Sequence, residues 1–334
     1  MITYELTDVT RVDSTGAVLR QLRALEPRAA TEHTPAVDVG DLGGWMPSES
    51  ITDPASPHAG QPRLSGLAWV HDDARILGNA VVQGQSHVFR NARVEGEARV
   101  SGSACVSGSV RVEHHAHIFG EAEVWGSAIV TGYAQVFDMA RVRGHCHVDD
   151  LTRVGGTASV HGHARIEGNA IVWDQAIVGG FATVGGTAQI SGKARIDGSH
   201  SSNGASPVVM DAKVSGTTII TGMAQVRAPL SIAGRAIIDE DALIESVTHV
   251  LYLESMGPND NALTVFRTAG NSARVHHTCW SWSHGPLHEL LPNAAAEVRR
   301  TSYGDLAASY IRQYELVIEV ARERMAFWPQ RQGG

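Results

Sequence analysis

An aliphatic residue recurs at every sixth position through more than half of the chain. The series begins at Leu64 and continues in phase to Val250, and Ser202 is its only polar member. A small residue, usually Ala, stands two positions before most of these aliphatic residues, and Gly usually stands four positions before them. A series of this length does not arise by chance, so the chain is built from internal repeats.

The spacing of these residues indicates β-structure. Two inward-facing residues two positions apart match the period of a strand, and Gly supplies a turn with positive φ. Six residues therefore form one strand and one corner, and three such sides close a triangular coil of 18 residues. Stacked coils rise about 4.8 Å each, so we predict an all-β solenoid, a triangular parallel β-helix of about ten to eleven coils and roughly 50 Å.

This repeat resembles that of the hexapeptide-repeat superfamily, whose members form left-handed parallel β-helices. The resemblance implies a left-handed coil, and a right-handed filament-forming helix like that of the bactofilins is the alternative. The stretch "VDVGDLGGWMPSES" followed by "GLAWVHDDARILGNAVV" also resembles the start of the bacterial and prophage YdcK-like group. Members of that group are labelled transferases, but no established activity comes with the label.

The limits of the six-residue period divide the chain into three regions. We expect an N-terminal cap and linker at 1–60, with a strand at YELTDVTRV and a short helix at AVLRQLRAL. The β-helix should occupy 61–252, followed at 253–334 by a small α/β cap with two strands around a turn at Ala269, Gly270 and Asn271. A long helix is predicted over 303–327. Its apolar face would consist of Leu306, Tyr310, Tyr314, Val317, Val320, Ala321 and Met325.

Composition narrows the partners and the compartment. The formal net charge is −8 and no block of Lys and Arg occurs, so nucleic acid is not the expected partner. The chain does not begin like a signal peptide, and no apolar stretch approaches the roughly 18 residues of a membrane span, so we expect a cytoplasmic protein with no membrane contact. The three cysteines, which are widely spaced, fit neither a disulfide framework nor a zinc finger.

Two His-x-His pairs lie in the stretch "RGHCHVDDLTRVGGTASVHGHARIEG". His145 and His147 flank the inward Cys146, so both should point outward on one strand, about 6 to 7 Å apart. His163 follows His145 by 18 residues and should stack on it at about 4.8 Å. These three imidazoles could share a zinc ion, or His145 or His163 could act as a general base. Polar residues are expected on an outer surface in any case, and Arg165 would repel a cation.

The repeat breaks at "DGSHSSNGASP", which puts His200 and Ser202 where Ala and an aliphatic residue belong. The resemblance to hexapeptide proteins implies two chemistries: acyl transfer from acyl-CoA, with a histidine base near a cleft between trimer subunits, and zinc-dependent carbonic anhydrase activity. The histidine spacing does not reproduce the carbonic anhydrase ligands. Because hexapeptide acyltransferases commonly extrude a loop at the acceptor site, His200 is a second candidate base. The alternative is a loop that bulges from a tolerant coil.

Aromatic residues line two outward columns. Phe119, Phe137 and Trp173 lie one and two coils apart in one column, and Phe89 and Trp125 lie along another edge. Exposed aromatic residues in lines are typical of a contact surface. We therefore expect a homo-oligomer, with a trimer favoured, in which these five residues form the interface.

Three hypotheses for the function follow. The favoured one is a non-enzymatic, self-associating β-helix scaffold, phage-related in origin, that recognises a partner or sequesters a small ligand. The alternative is an acyl-CoA-dependent transferase with a histidine base in a groove between subunits. An acidic DNA mimic is the least favoured, because Arg75, Arg93 and Arg111 recur at 18-residue intervals and would interrupt a negative face.

Overall fold

The computed structural model describes residues 3–14, 16–30, 35–198, 200–201, 208–209, 213–226, 231–278 and 284–328. They fall into two compact units, Met1–Gln175 and Ala176–Gly334. The units carry about nine turns of a parallel β-solenoid, with most turns spaced by 18 residues. The predicted parallel β-solenoid is thereby confirmed.

The coil of the first unit has three parallel sheets of short strands. We call the first the charged face; its strands are Arg75–Ile76, Arg93–Val94, Arg111–Val112, Ile129–Val130, His147–Val148 and Arg165–Ile166. We call the second the aromatic face; its strands are Val81–Val82, Arg99–Val100, His117–Ile118, Gln135–Val136, Arg153–Val154 and Ile171–Val172. We call the third the notch face; its strands are Trp69–Val70, His87–Val88, Cys105–Gly108, Glu123–Gly126, Arg141–Gly144 and Ser159–Val160.

The core of the coil contains the small and aliphatic residues of the repeat. Ala98 and Val100, for example, are fully buried, and the same holds for their equivalents in the neighbouring turns. A strand residue between two inward positions points outward, so each turn offers one row of side chains per face. The surface of each face is therefore set by outward residues that recur every 18 positions.

The corners between faces contain residues with positive φ. At Gly102 φ is 71°, and a Cβ there would lie 2.7 Å from the Gly120 carbonyl oxygen. Asp150 takes the same kind of position with φ of 59°, and its carboxylate accepts a hydrogen bond from the Gly168 backbone N–H at 2.8 Å. Gly adopts the left-handed region freely and Asp does so more readily than most other residues, which explains why both are frequent at these corners.

The N-terminal segment extends the charged face. Strand Tyr4–Val12 pairs antiparallel with Val18–Ala24, which pairs with Leu42–Met46, and Trp45 reaches the first coil opposite Arg75. The predicted short helix at AVLRQLRAL is therefore wrong, whereas the strand at YELTDVTRV is confirmed. Neighbouring strands on both sides satisfy the backbone of Val18–Ala24, and this tertiary pairing overrides local preference.

The coil of the second unit also has three parallel sheets. Their strands are Ile177–Gly180, Arg195–Gly198, Gln225–Val226 and Leu243–Ile244; Thr183–Val184, Lys213–Val214 and Ser231–Ile232; and Gln189–Ile190, Ile219–Ile220 and Ile237–Ile238. Thr183 pairs with Lys213, 30 residues on, instead of 18 as in other turns. We call this longer interval the excursion; within it the strands His200–Ser201 and Val208–Val209 pair antiparallel. Because its length is a multiple of six, the excursion leaves the repeat in phase, and it reduces the number of coils below the predicted ten to eleven.

The chain ends in an antiparallel sheet packed on two helices. The strands Val250–Met256, Asn261–Arg267, Ala273–His277 and His284–Pro286 follow a 3₁₀ turn at Val247–His249, and Leu287–Glu289 leads into α1 (Leu290–Thr301) and α2 (Gly304–Met325). The predicted turn at Ala269 lies between two of these strands, and α2 matches the predicted helix. No helix in the described ranges is long and apolar enough to cross a membrane.

The packed face of α2 differs in part from the prediction. Tyr314, Val317 and Ala321 are buried as expected, but Leu306 and Val320 are 56% and 42% exposed. Ala307 and Ile318 pack inward in addition. The buried stripe is thus rotated toward α1, which the sequence analysis did not identify and which supplies part of the hydrophobic core.

Candidate functional site

The outward side chains of the aromatic face form three columns over four turns of the first unit. The first edge column consists of His115, Tyr133, Leu151 and Asn169. The central column consists of His117, Gln135, Arg153 and Ile171. The second edge column consists of Phe119, Phe137, Gly155 and Trp173. We call these residues together the aromatic surface.

Three rings of the second edge column are in contact. Phe119 and Phe137 stack with their centroids 5.0 Å apart and their planes 7° apart, as the sequence predicted for residues one coil apart. Phe137 contacts Trp173, two turns on, at 5.1 Å and 55°. This contact spans the turn between them because that turn contributes Gly155, where a Cβ would lie 2.5 Å from the indole ring. Trp173, the last residue of this column, remains 36% exposed to solvent.

The first edge column forms a second ridge. The rings of His115 and Tyr133 stack at 4.6 Å, with their planes 7° apart. Tyr133 and Leu151 are 57% and 58% exposed, which is unusual for large apolar side chains in a row. Between this ridge and the central column lies a groove of about 510 Å³, with Gln135 and Arg153 in its lining.

The central column is polar over three turns and apolar at Ile171, and Arg153 is its only charged residue at pH 7. His117 accepts or donates one hydrogen bond through Nε2 to the Ser101 hydroxyl, 2.9 Å away. Burial, together with the nearby Arg99, lowers the pKa of His117 to about 4, so its imidazole is neutral at pH 7. None of the residues of the aromatic surface is acidic. This surface therefore differs from the charged face, where Arg93 and Arg111 stack and Arg111 pairs with Glu113.

The two remaining aromatic residues expected in the interface lie on the notch face. Phe89 stacks on His71 at 4.1 Å, close to the N-terminal segment. Trp125 lies two turns on and lines a second groove, of about 550 Å³. The structure thus separates Phe89 and Trp125 from the aromatic surface, and their role in an interface stays a prediction.

The histidine patch has a different geometry from the one expected for zinc. His145 and His163 do stack, with centroids 5.0 Å apart and planes 8° apart. His145 lies at a corner, however, and only His147 lies in a strand, so the two are not on one strand as predicted. His147 Nε2 lies 3.9 Å from Asp149 Oδ2, and Arg165 pairs with Glu167 at 2.6 Å.

Within the part of the chain that the structure describes, no group of three or more His, Cys, Asp or Glu is arranged to hold a metal ion. The zinc role of His145, His147 and His163 stays a prediction, as does the general-base role of His145 and His163. His200 lies in the excursion of the second unit, and its side chain is not among those that the structure describes.

The described cysteines lack the properties of reactive thiols. Burial raises the pKa of Cys105 to about 11, with a further contribution from Glu123, and burial also raises that of Cys146 to about 11. A thiolate is the reactive form, so neither is a nucleophile at pH 7. Cys279 lies outside the described residues.

The chain matches no family model and no curated protein. The sequence analysis found the column of Phe119, Phe137 and Trp173 but missed the parallel ridge of Tyr133 and Leu151. The same 18-residue spacing, applied four positions earlier in each turn, would have located that ridge.

Proposed function

We propose that the chain is a non-enzymatic β-solenoid scaffold that self-associates through the aromatic surface. The observation that carries the proposal is the aromatic surface itself: two exposed apolar ridges beside a polar groove, with no acidic residue. Interface cores are depleted in charge and enriched in aromatic residues, and this surface has both properties. The rest of the molecule would remain free to recognise a partner or to hold a small ligand.

A second copy of the chain fits this surface better than an unrelated partner. The ridges repeat with the spacing of neighbouring strands, about 4.8 Å. A partner that contacts every rung needs the same spacing, and a copy of the same solenoid has it. Stacked rings such as Phe119 and Phe137 present their edges outward, which suits edge-to-face packing against the rings of another copy. A closed trimer, the arrangement expected from the hexapeptide resemblance, is the assembly we favour.

We also assign the solenoid to the hexapeptide-repeat type, with a left-handed coil, and its origin to phage-related proteins of the YdcK-like group. The assignment is supported by the buried Ala–x–Val pairs and by the corner residues with positive φ. It is further supported by the "GDLGGW" stretch, whose Leu42–Met46 strand joins the N-terminal hairpin to the first coil.

One observation favours a second candidate, an acyl-CoA-dependent transferase. The strands His200–Ser201 and Val208–Val209 pair antiparallel, unlike the parallel strands of the coil, and an acceptor-site loop would interrupt the coil in the same way. A base at His200, or at the stacked His145 and His163, would act in a groove between subunits. This candidate ranks second because fold alone does not imply an activity.

Native mass spectrometry of the protein purified gently from its own cytoplasm, with metal analysis of the same sample, tests both candidates. We expect an oligomer that carries neither CoA nor stoichiometric zinc. A trimer that carries CoA or zinc would overturn the non-enzymatic proposal and direct substitutions to His145, His163 and His200. A monomer would contradict self-association.

A further inference from the structure

The notch face contains an interrupted aromatic column. Phe89, Ser107 and Trp125 follow each other at 18-residue intervals, so a small residue separates two aromatic ones. The aromatic surface has the same order in Phe137, Gly155 and Trp173. The molecule therefore contains two columns in which a small residue separates two aromatic residues.

The gap on the aromatic surface is filled by the protein itself. Trp173 tilts over Gly155 until its ring contacts Phe137. On the notch face the Phe89 ring contacts His71, one turn earlier and on the side away from Ser107, and His87 in its own turn. Among the described residues, Trp125 has no ring contact with another aromatic side chain. One face of the Trp125 indole is thus left beside a groove of about 550 Å³.

The dimensions of this groove suit a flat ring. Neighbouring rungs are about 4.8 Å apart, so a ring at the level of Ser107 would lie on Trp125 at an ordinary stacking distance. Phe119 and Phe137 show this geometry in the same coil, at 5.0 Å. The floor consists of Ser107, Gly108 and Ser109. These small residues leave room for a ring at the level of Ser107, and the two serines offer hydroxyl groups. The volume lies within the range of small-molecule sites, roughly 300 to 1,000 Å³.

The charges at the rim favour an anion. Glu123 lies within 3.4 Å of Arg141, so its charge is compensated. Arg90 is exposed at the corner above Gly108, and none of the described residues forms an ion pair with it. Its backbone is fixed in the left-handed region, with φ of 60°, and its N–H donates to Asp72 Oδ2 at 3.0 Å. An Arg in this setting presents its guanidinium to a phosphate or carboxylate.

We propose that this notch binds a planar aromatic ring that bears an anionic group. The ring lies on Trp125 at the level of Ser107, and the anion contacts Arg90. A mononucleotide and an aromatic carboxylate share this chemistry. This proposal rests on the proposed function, because it names the small ligand that the scaffold would hold. The notch lies on a different face from the aromatic surface. It also gives Trp125 a role other than the interface role predicted from the sequence.

Isothermal titration calorimetry of the full chain tests the proposal, with AMP, adenosine, indole-3-acetate and inorganic phosphate as probes. We expect saturable binding of AMP or indole-3-acetate, whichever is the better representative of the ligand, and no binding of phosphate alone. Arg90→Gln should weaken the anionic probe about tenfold and leave adenosine unchanged. No binding by either AMP or indole-3-acetate would overturn the proposal.

Two variants of the notch locate the ring. Trp125→Ala removes the stacking surface, and Ser107→Phe fills the gap with a ring of the protein's own; each should weaken binding at least tenfold. Ser159→Phe adds the same ring on the same face outside the notch and should leave binding unchanged. Equal binding by Trp125→Ala and the unaltered protein would overturn the proposal, whether or not Ser107→Phe folds. Sedimentation velocity on the same samples reports self-association separately, so failure of the notch is distinguished from failure of the scaffold.

Discussion

The indole ring of Trp173 lies over Gly155 and contacts the ring of Phe137, two turns away in the same column. The absence of a side chain at residue 155 is what allows this contact. We expect Gly155→Ala to displace the indole and to lower the free energy of unfolding by about 1–3 kcal/mol, the usual cost of overpacking. Urea unfolding measures the change. In the Trp173→Ala background the same substitution should cost less, because only the tip of the Phe137 ring, 2.8 Å from the added Cβ, then has to move. An equal cost in both backgrounds would contradict this account.

The corner at Gly102 has both a positive φ and a close neighbour. A Cβ at this position would adopt an unfavourable backbone conformation and would lie 2.7 Å from the Gly120 carbonyl oxygen. We expect Gly102→Ala to lower the free energy of unfolding by about 1–3 kcal/mol. Ser103→Ala, at the exposed neighbouring position, should change it by less than about 0.5 kcal/mol. Similar values for the two variants in thermal or urea unfolding would show that the corner is not constrained.

Stability should fall in mild acid because of His71 and His87. Their rings share a hydrogen bond of 2.8 Å between Nε2 and Nδ1. Burial, His87 and Arg28 together lower the pKa of His71 to about 3. Burial and Arg28 lower the pKa of His87 to about 4. In the unfolded chain both titrate near 6.5, at roughly the ordinary value for histidine. Between these values the unfolded state binds protons that the folded state excludes, so stability decreases as the pH falls from about 6.5 toward 4.

The double variant His71→Phe, His87→Phe isolates this effect. It removes both titrating groups and keeps ring packing, and loss of both hydrogen-bond partners together costs little. We expect its free energy of unfolding to depend less on pH than that of the unaltered protein between pH 6.5 and 4. Urea unfolding at several pH values measures this dependence. If the free energy of unfolding changed with pH equally in both proteins, the assignment would be contradicted.

The repeat predicted the coil well because its period is a direct consequence of strand geometry. Ala98 and Val100 had to share the interior, and the corner glycines had to have positive φ, whatever the rest of the chain does. A helix was wrongly predicted at 17–25 because Leu19 and Leu22 have the spacing of one helix face. The segment is instead a strand that is paired on both sides, and that pairing is not visible in the local sequence. The excursion near His200 kept the six-residue phase, so the count of coils from sequence was too high.

The site was predictable only in part. Outward positions that recur every 18 residues identified the stack of Phe119 and Phe137 and that of His145 and His163. Ring orientation was not predictable, since it depends on contacts such as the one that Gly155 permits. The same 18-residue spacing placed Phe89 and Trp125 on a different edge from Phe119 and Phe137, as the structure has them.

Self-association through the aromatic surface is measured most directly by sedimentation velocity over a range of concentrations, for the full chain and two variants. Tyr133→Ser, Phe137→Ser replaces one large apolar side chain in each ridge, and Arg111→Gln is the control on the charged face, where exposed ion pairs contribute about 0–1 kcal/mol. We expect an oligomer for the unaltered protein and for Arg111→Gln, and a folded monomer, or an assembly at least tenfold weaker, for the double variant. A monomeric unaltered protein, or a double variant that assembles as well as the control, would contradict the account.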